Sequence, residues 1–219
     1  MSSLFTQYWD VIPGKYDEYS SFVSKEYIPG LERLGLRLLG GFHVAVGQGP
    51  RIIVVGTVDE QDYLRRILST EDYRIIIEEL SQFVCKYSSK LYVSSGRLTQ
   101  GPYHIQTGAW KFNQYYNVVP GKEIEHYHFV KDECMPGMKE LGVPVTGAWR
   151  MVIGEGPRIL GECTSRDMEG IARCIDSPLF RKLVRRLKKH FATDYNSRIL
   201  APTGRIEIPS LIENMTKGF

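Results

Sequence analysis

A few polar residues have types and positions that can do chemistry: His43, Arg150, Glu162, Tyr8, Asp10, Asn113, Tyr115 and Asn117. An unperturbed histidine titrates at roughly 6.5, so His43 suits a general base, or equally a hydrogen-bonded histidine at a strand rim. Arg150 and Glu162 fall on neighbouring strands of one expected hairpin, within reach of a cross-strand ion pair, structural or catalytic. Burying such a pair costs desolvation, so it argues only weakly for stability. Hydroxyls such as those of Tyr8 and Tyr115 orient a phenol or carbonyl inside an apolar cavity. His43, Arg150 and Glu162 are therefore the candidate catalytic residues. Tyr8, Asp10, Asn113, Tyr115 and Asn117 are the candidate ligand contacts.

Metal chemistry has little support. His126 and His128 lie two apart on an expected helix, so they point to different sides and cannot chelate one ion. Cys85, Cys134, Cys163 and Cys174 form no C-x-x-C pair, which suggests reduced thiols in the cytoplasm. "GQGP" at Gly47 and "GEGP" at Gly154 look like phosphate loops, but no helix follows either one, so both read as hairpin turns. No metal is expected, and no cofactor is required.

These residues sit in a chain that repeats itself. Shifted by 107 positions, the sequence matches itself without a gap from Phe5 to about Leu80. Roughly a third of those positions are identical, far above chance at a fixed period. Pro13-Gly14-Lys15 falls on Pro120-Gly121-Lys122, and Pro29-Gly30 on Pro136-Gly137. One inserted residue then brings Tyr87 onto Tyr195. Two copies of this length point to a duplication and fusion, a pseudo-dimer rather than a solenoid.

Each copy reads as six elements. "LFTQYWDVI" is rich in aromatic and β-branched residues and ends at a Pro-Gly turn, so it is a strand. Lys15 to about Arg33 carries apolar residues at helical spacing, with Gly35 as the stop. "LRLLGGFHVAV" and "RIIVVGTV" are strands joined by the glycine turn. A second helix is expected from about Glu60 to Cys85, interrupted near Ser69, and "KLYVSS" closes the unit. The order β-α-β-β-α-β is the ferredoxin-like arrangement. The fold class is α+β: two tandem ferredoxin-like repeats, residues 1–98 and 108–208, forming an intramolecular barrel. Residues 99–107 are the linker and 209–219 a tail. Strand alternation places His43, Arg150 and Glu162 on the inward face, with Tyr8, Asp10, Asn113, Tyr115 and Asn117 less securely on the same side. His43 and Arg150 are equivalent positions, and Val55 is replaced by Glu162. A symmetric pocket has thereby become asymmetric, as binding of an asymmetric small molecule requires.

The pattern "PGKYDEYSSF…YIPGLERLGLRLLGGF" resembles the dimeric α/β-barrel superfamily. Within it, the chain is most similar to NIPSNAP-like proteins, and next to the antibiotic-biosynthesis monooxygenase group. The resemblance implies a site between two sheets and a small-molecule binder or cofactor-less enzyme of oxygenase or isomerase type. It also implies two alternatives: a haem protein with His43 or His190 as axial ligand, and a non-catalytic scaffold. The motifs are specific for fold and do not choose among these activities.

Composition sets the remaining bounds. At 219 residues, 42% hydrophobic and 24% charged, the chain has ordinary globular makeup. A net charge of +3 is too small to imply nucleic acid. No apolar run approaches the roughly 18 residues that span a bilayer, and "MSSLFTQYWDV" lacks a secretory n-region and h-region. A cytoplasmic protein is expected, with an aromatic or carbonyl-containing ligand. The basic stretch "SPLFRKLVRRLKKHF" reads as a solvated helix face. Its Arg185 and Arg186 stand where the first copy has Glu78 and Glu79, which suggests homo-oligomer contacts through outer surfaces.

Overall fold

The computed structural model describes residues 3–58, 61–96, 98, 103, 105 and 108–203. The expected tail, 209–219, lies outside the described residues. The first half runs β1 (Ser3–Val11), α1 (Tyr16–Phe22), a π-helical turn (Val23–Tyr27), α2 (Ile28–Arg33), β2 (Arg37–Val46), β3 (Ile52–Val58), α3 (Gln61–Leu68), α4 (Glu71–Leu80) and β4 (Val84–Ser94). The second half runs β5 (Trp110–Val118), α5 (Glu123–Phe129), a π-helical turn (Val130–Cys134), α6 (Met135–Glu140), β6 (Val145–Ile153), β7 (Ile159–Ser165), α7 (Met168–Asp176), α8 (Pro178–His190) and β8 (Ala192–Pro202). The long first helix is thus interrupted in both halves. Pro29 and Pro136 sit in the first turns of α2 and α6. A proline there removes a helical N–H, and the wide π turn just before it absorbs the missing bond. The break near Ser69 is a cap: Thr70 Oγ1 accepts from the Tyr73 N–H at 3.2 Å, and Ser177 caps α8 in the same way.

The strands close into one antiparallel barrel in the order β1-β3-β2-β8-β5-β7-β6-β4. The halves meet at two seams, β2 with β8 and β4 with β6. An apolar cluster fills the barrel interior, including Tyr8, Phe42, Ile53, Tyr115, Trp149 and Leu160. The helices pack on the outside, over Phe5, Trp9 and Val54 in the first half.

Two strands depart from simple alternation. On β2, Leu38 packs on the helix side as expected, but Leu38 pairs with Gly56 and Gly40 with Val55, leaving Leu39 as an extra residue. That bulge reverses the parity downstream, so Phe42 and Val44 face inward and His43 faces outward. On β6, Val145 pairs with Cys163 and Gly147 with Glu162, so Thr146 is the extra residue. Trp149 and Met151 face inward, and Arg150 is exposed on the outside. The inward placement expected for His43 and Arg150 is therefore corrected in both halves for the same reason.

Candidate ligand cavity

The expected catalytic trio does not assemble. Glu162 faces the barrel interior, buried at 1% exposure. His43 is buried on the outward side of β2, paired in register with Ala201 of β8. Arg150 reaches the mouth of a cavity outside the barrel. Thr6, Tyr8, Asn113 and Tyr115 point inward, where Asn113 Nδ2 donates to the Tyr115 hydroxyl at 3.3 Å. Asp10 and Asn117 are rim residues instead of ligand contacts. Asp10 Oδ1 accepts from the Arg51 N–H at 2.7 Å, and Asn117 Oδ1 accepts from the Arg158 N–H at 2.9 Å. Both pin the end of a hairpin, because bulges after Tyr8 and Tyr115 turn these strands at their ends.

Glu162 is held by residues that inward-face reasoning passed over. Lys111 Nζ donates to Glu162 Oε1 at 2.5 Å, Tyr103 donates to the same oxygen at 3.0 Å, and Trp149 Nε1 donates to Oε2 at 2.8 Å. Gly147 permits this packing. A β-carbon there would lie 2.4 Å from Trp149 Nε1 and 2.6 Å from Glu162 Oε2.

The apolar cavity lies elsewhere. A cavity of about 490 Å³ sits between the outer face of the second half's sheet and its helices. The corresponding layer of the first half is one continuous core. In the second half the core is split in two, and the cavity touches both parts. The split follows from residue size. Trp9, Tyr27 and Val54 of the first half correspond to Tyr116, Cys134 and Gly161, all of which line the cavity. Each exchange removes side-chain volume from a packed layer, and the voids coalesce.

The exchanges also alter the polar groups. In the first half Trp9 Nε1 donates to the Tyr19 hydroxyl at 3.0 Å, and Tyr27 donates to Gln7 Oε1 at 2.6 Å. In the second half the first pair becomes Tyr116 and His126, with Oη and Nε2 2.9 Å apart. Tyr195 donates to Gln114 Oε1 at 3.0 Å. The amide nitrogen of Gln114 finds only Cys163 Sγ, 4.0 Å away, which leaves it a donor with capacity to spare. Burial pushes the His126 pKa down, so its imidazole is neutral at pH 7. Burial pushes the Tyr116 hydroxyl up and the Cys134 thiol up to about 12. The deep cavity wall is thus uncharged, while Glu123 and Arg150 stand exposed at its edge.

No family model matches this sequence, and no curated protein matches it. Solved structures do match. One is a protein with a provisional monooxygenase assignment from Lactobacillus acidophilus, with TM-score 0.58 and 10% identity over 92% of this chain and 93% of that one. An anthrone oxidase-like protein aligns with TM-score 0.57 and 11% identity over 92% of this chain and 91% of that one. A mutant chlorite dismutase from Candidatus Nitrospira defluvii aligns with TM-score 0.63 and 8% identity over 94% and 93%. The chain therefore has the fold of the dimeric α+β-barrel superfamily. Among the described residues no helix is long and apolar enough to cross a membrane.

Proposed function

We propose that the protein binds a small aromatic or carbonyl-bearing molecule in this cavity and acts on it as a cofactor-less enzyme of oxygenase or isomerase type. In this reading the chain is a fused pair of ferredoxin-like repeats in which only the second has opened a site. The observation that carries it is the one-sided opening of the helix–sheet layer beside the Tyr116–His126 pair. A volume of about 490 Å³ falls within the roughly 300–1,000 Å³ of ligand sites. The apolar wall takes a flat ring system, and Gln114 and Tyr116 offer hydrogen bonds to a carbonyl or phenol. The neutral His126 works through Tyr116, whose hydroxyl takes the proton of an acidic C–H or O–H of the ligand as it passes its own to Nε2. The resulting enolate is electron-rich enough to pass electrons to dioxygen. A CH₂ becomes a C=O, and the second oxygen atom leaves as water. The monooxygenase and anthrone oxidase descriptions of the structural neighbours support this class of reaction.

Anthrone has flat rings, a ketone and an acidic C–H, so it is the test compound. Wild-type protein should bind it and consume one dioxygen per anthraquinone formed. His126→Gln should bind it comparably and turn over at least tenfold more slowly. If neither anthrone nor hydroxylated aromatics bind, the reading fails.

A haem protein of the same fold takes its axial ligand most often from histidine, and otherwise from a thiolate, phenolate or thioether. His126 Nε2 is held by Tyr116, and burial keeps the Cys134 thiol protonated. Neither His43 nor His190 lines the cavity. These contacts argue against axial ligation of haem in the cavity by His126 or Cys134.

A further inference from the structure

The two Gly-x-Gly-Pro hairpins frame a pair of cations. Lys90 of β4 and Arg198 of β8 are counterparts in the two halves. Lys90 pairs in register with Thr6, and Arg198 with Asn113, both inward-facing positions. The Arg198 guanidinium lies between two tyrosines, 5.7 Å from the Tyr8 ring and 5.4 Å from the Tyr115 ring. Lys90 Nζ lies 5.4 Å from the Tyr8 ring. The hairpins need glycine for their positive φ, +100° at Gly49 and +123° at Gly154, and they lie close against these cations. A β-carbon at Gly49 would fall 2.5 Å from Arg198 Nη2, and one at Gly154 would fall 2.9 Å from Lys90 Cγ.

Neither cation has a carboxylate within ion-pair distance among the described residues; Glu155, on the second hairpin, acts on Lys90 from farther away. Arg198 Nε and Nη1 are buried without an acceptor, and Asn113 Oδ1 is buried without a donor, while the Tyr92 hydroxyl meets that of Tyr8 and keeps capacity to donate. Tyr92 and Asn113 are 0% and 4% exposed. Buried polar groups in native proteins are almost always paired, and two neighbouring cations repel, so this end of the barrel is built for something that supplies acceptors and negative charge.

We propose that it is a binding site for a small oxyanion, a carboxylate or phosphate group, held between Arg198 and Lys90. The guanidinium offers its fork to two oxygens, the ammonium offers a point charge, and the Tyr92 hydroxyl donates. Turning the Asn113 amide over adds a further donor, since its two ends are interchangeable in position. The site lies on the opposite side of the sheet from the cavity and does not depend on it.

Calorimetric titration in an oxyanion-free chloride buffer tests the assignment, with inorganic phosphate in one arm and benzoate in the other. Wild-type protein should bind at least one of them. Binding should weaken at least tenfold in Arg198→Met, and measurably in Lys90→Met. Phosphate alone binding identifies the inorganic ion, and benzoate alone identifies an organic carboxylate. Without oxyanion, Arg198→Met should melt no lower than wild type, because it removes an uncompensated cation. Binding of neither anion, unchanged affinity in the variants, or a lower melting temperature of Arg198→Met in every buffer would overturn the proposal. Should Arg198→Met not fold, Lys90→Met carries the same test.

Discussion

Lys111 Nζ lies 2.5 Å from Glu162 Oε1, with both side chains 2% exposed, at positions where the first half carries Leu4 and Val55. One half of the barrel core thus contains an ion pair and the other half two aliphatic side chains. The pair is satisfied by Tyr103 and Trp149, and Lys111 also lies over the Phe42 ring at 4.8 Å. Breaking a buried pair strands one charge and costs about 3–5 kcal/mol, whereas replacing both partners with packed apolar groups is often neutral or stabilising. Glu162→Gln and Lys111→Met should each lose about that much in chemical denaturation. The double variant Lys111→Leu/Glu162→Val, which copies the first half, should recover most of it. Tyr103→Phe should lose about 2–3 kcal/mol, since the hydroxyl both accepts from Lys111 and donates to Glu162 but no charge is stranded.

His126 gives the protein a pH signature. Its folded pKa is lowered by burial from the ordinary value of roughly 6.5. The unfolded chain then takes up the proton first as pH falls, so stability is fully present above pH 6.5 and is lost below it. Denaturation midpoints measured from pH 8 to pH 5 should be flat at first and then decline. In His126→Gln the decline over the upper part of that window should be shallower. An identical profile in the variant would show that His126 is not the group responsible.

Much of this architecture is legible in the sequence, because a fixed period and glycine turns carry register information over long distances. The bulges are not, since neither Leu39 nor Thr146 has a signature of its own, and a single extra residue reverses His43 and Arg150 together. The cavity is readable in principle. Tyr27 against Cys134, Trp9 against Tyr116 and Val54 against Gly161 are size differences visible in the repeat alignment, but they fall on the helix-facing set rather than the inward one. Tyr103 is hidden differently: it comes from the stretch read as linker, and nothing local marks it as a partner of Glu162. The charge exchange between the second helices also has partners within the chain. Arg74 pairs with Glu78, and Arg186 pairs with Glu133, all four at the surface.

The donor chemistry of the cavity predicts the outcome of adding haem. With Nε2 of His126 on Tyr116 and the Cys134 thiol protonated, ferric haem mixed with the protein should keep the absorbance of the free, unligated form. His126→Gln should leave that spectrum unchanged. A sharpened, shifted band in wild type that disappears in His126→Gln would establish axial ligation and reverse the conclusion drawn from the Tyr116 contact.

Cys134→Tyr restores the residue of the first half at the position that opens the cavity most. Tyr27 is completely buried in its own layer and donates to Gln7, and Gln114 offers the equivalent amide in the second half. A tyrosine at 134 has both space and a hydrogen-bond partner, so the change should be neutral or stabilising by up to about 2 kcal/mol, as cavity-filling substitutions commonly are. It should also occupy the ligand's place and abolish anthrone binding, while leaving oxyanion binding at Arg198 and Lys90 intact. Denaturation and the two titrations read these effects separately. Anthrone bound as tightly by a well-folded Cys134→Tyr protein as by wild type would place the ligand elsewhere. A loss of several kcal/mol would show that the second half's layer does not have the spare volume assigned to it.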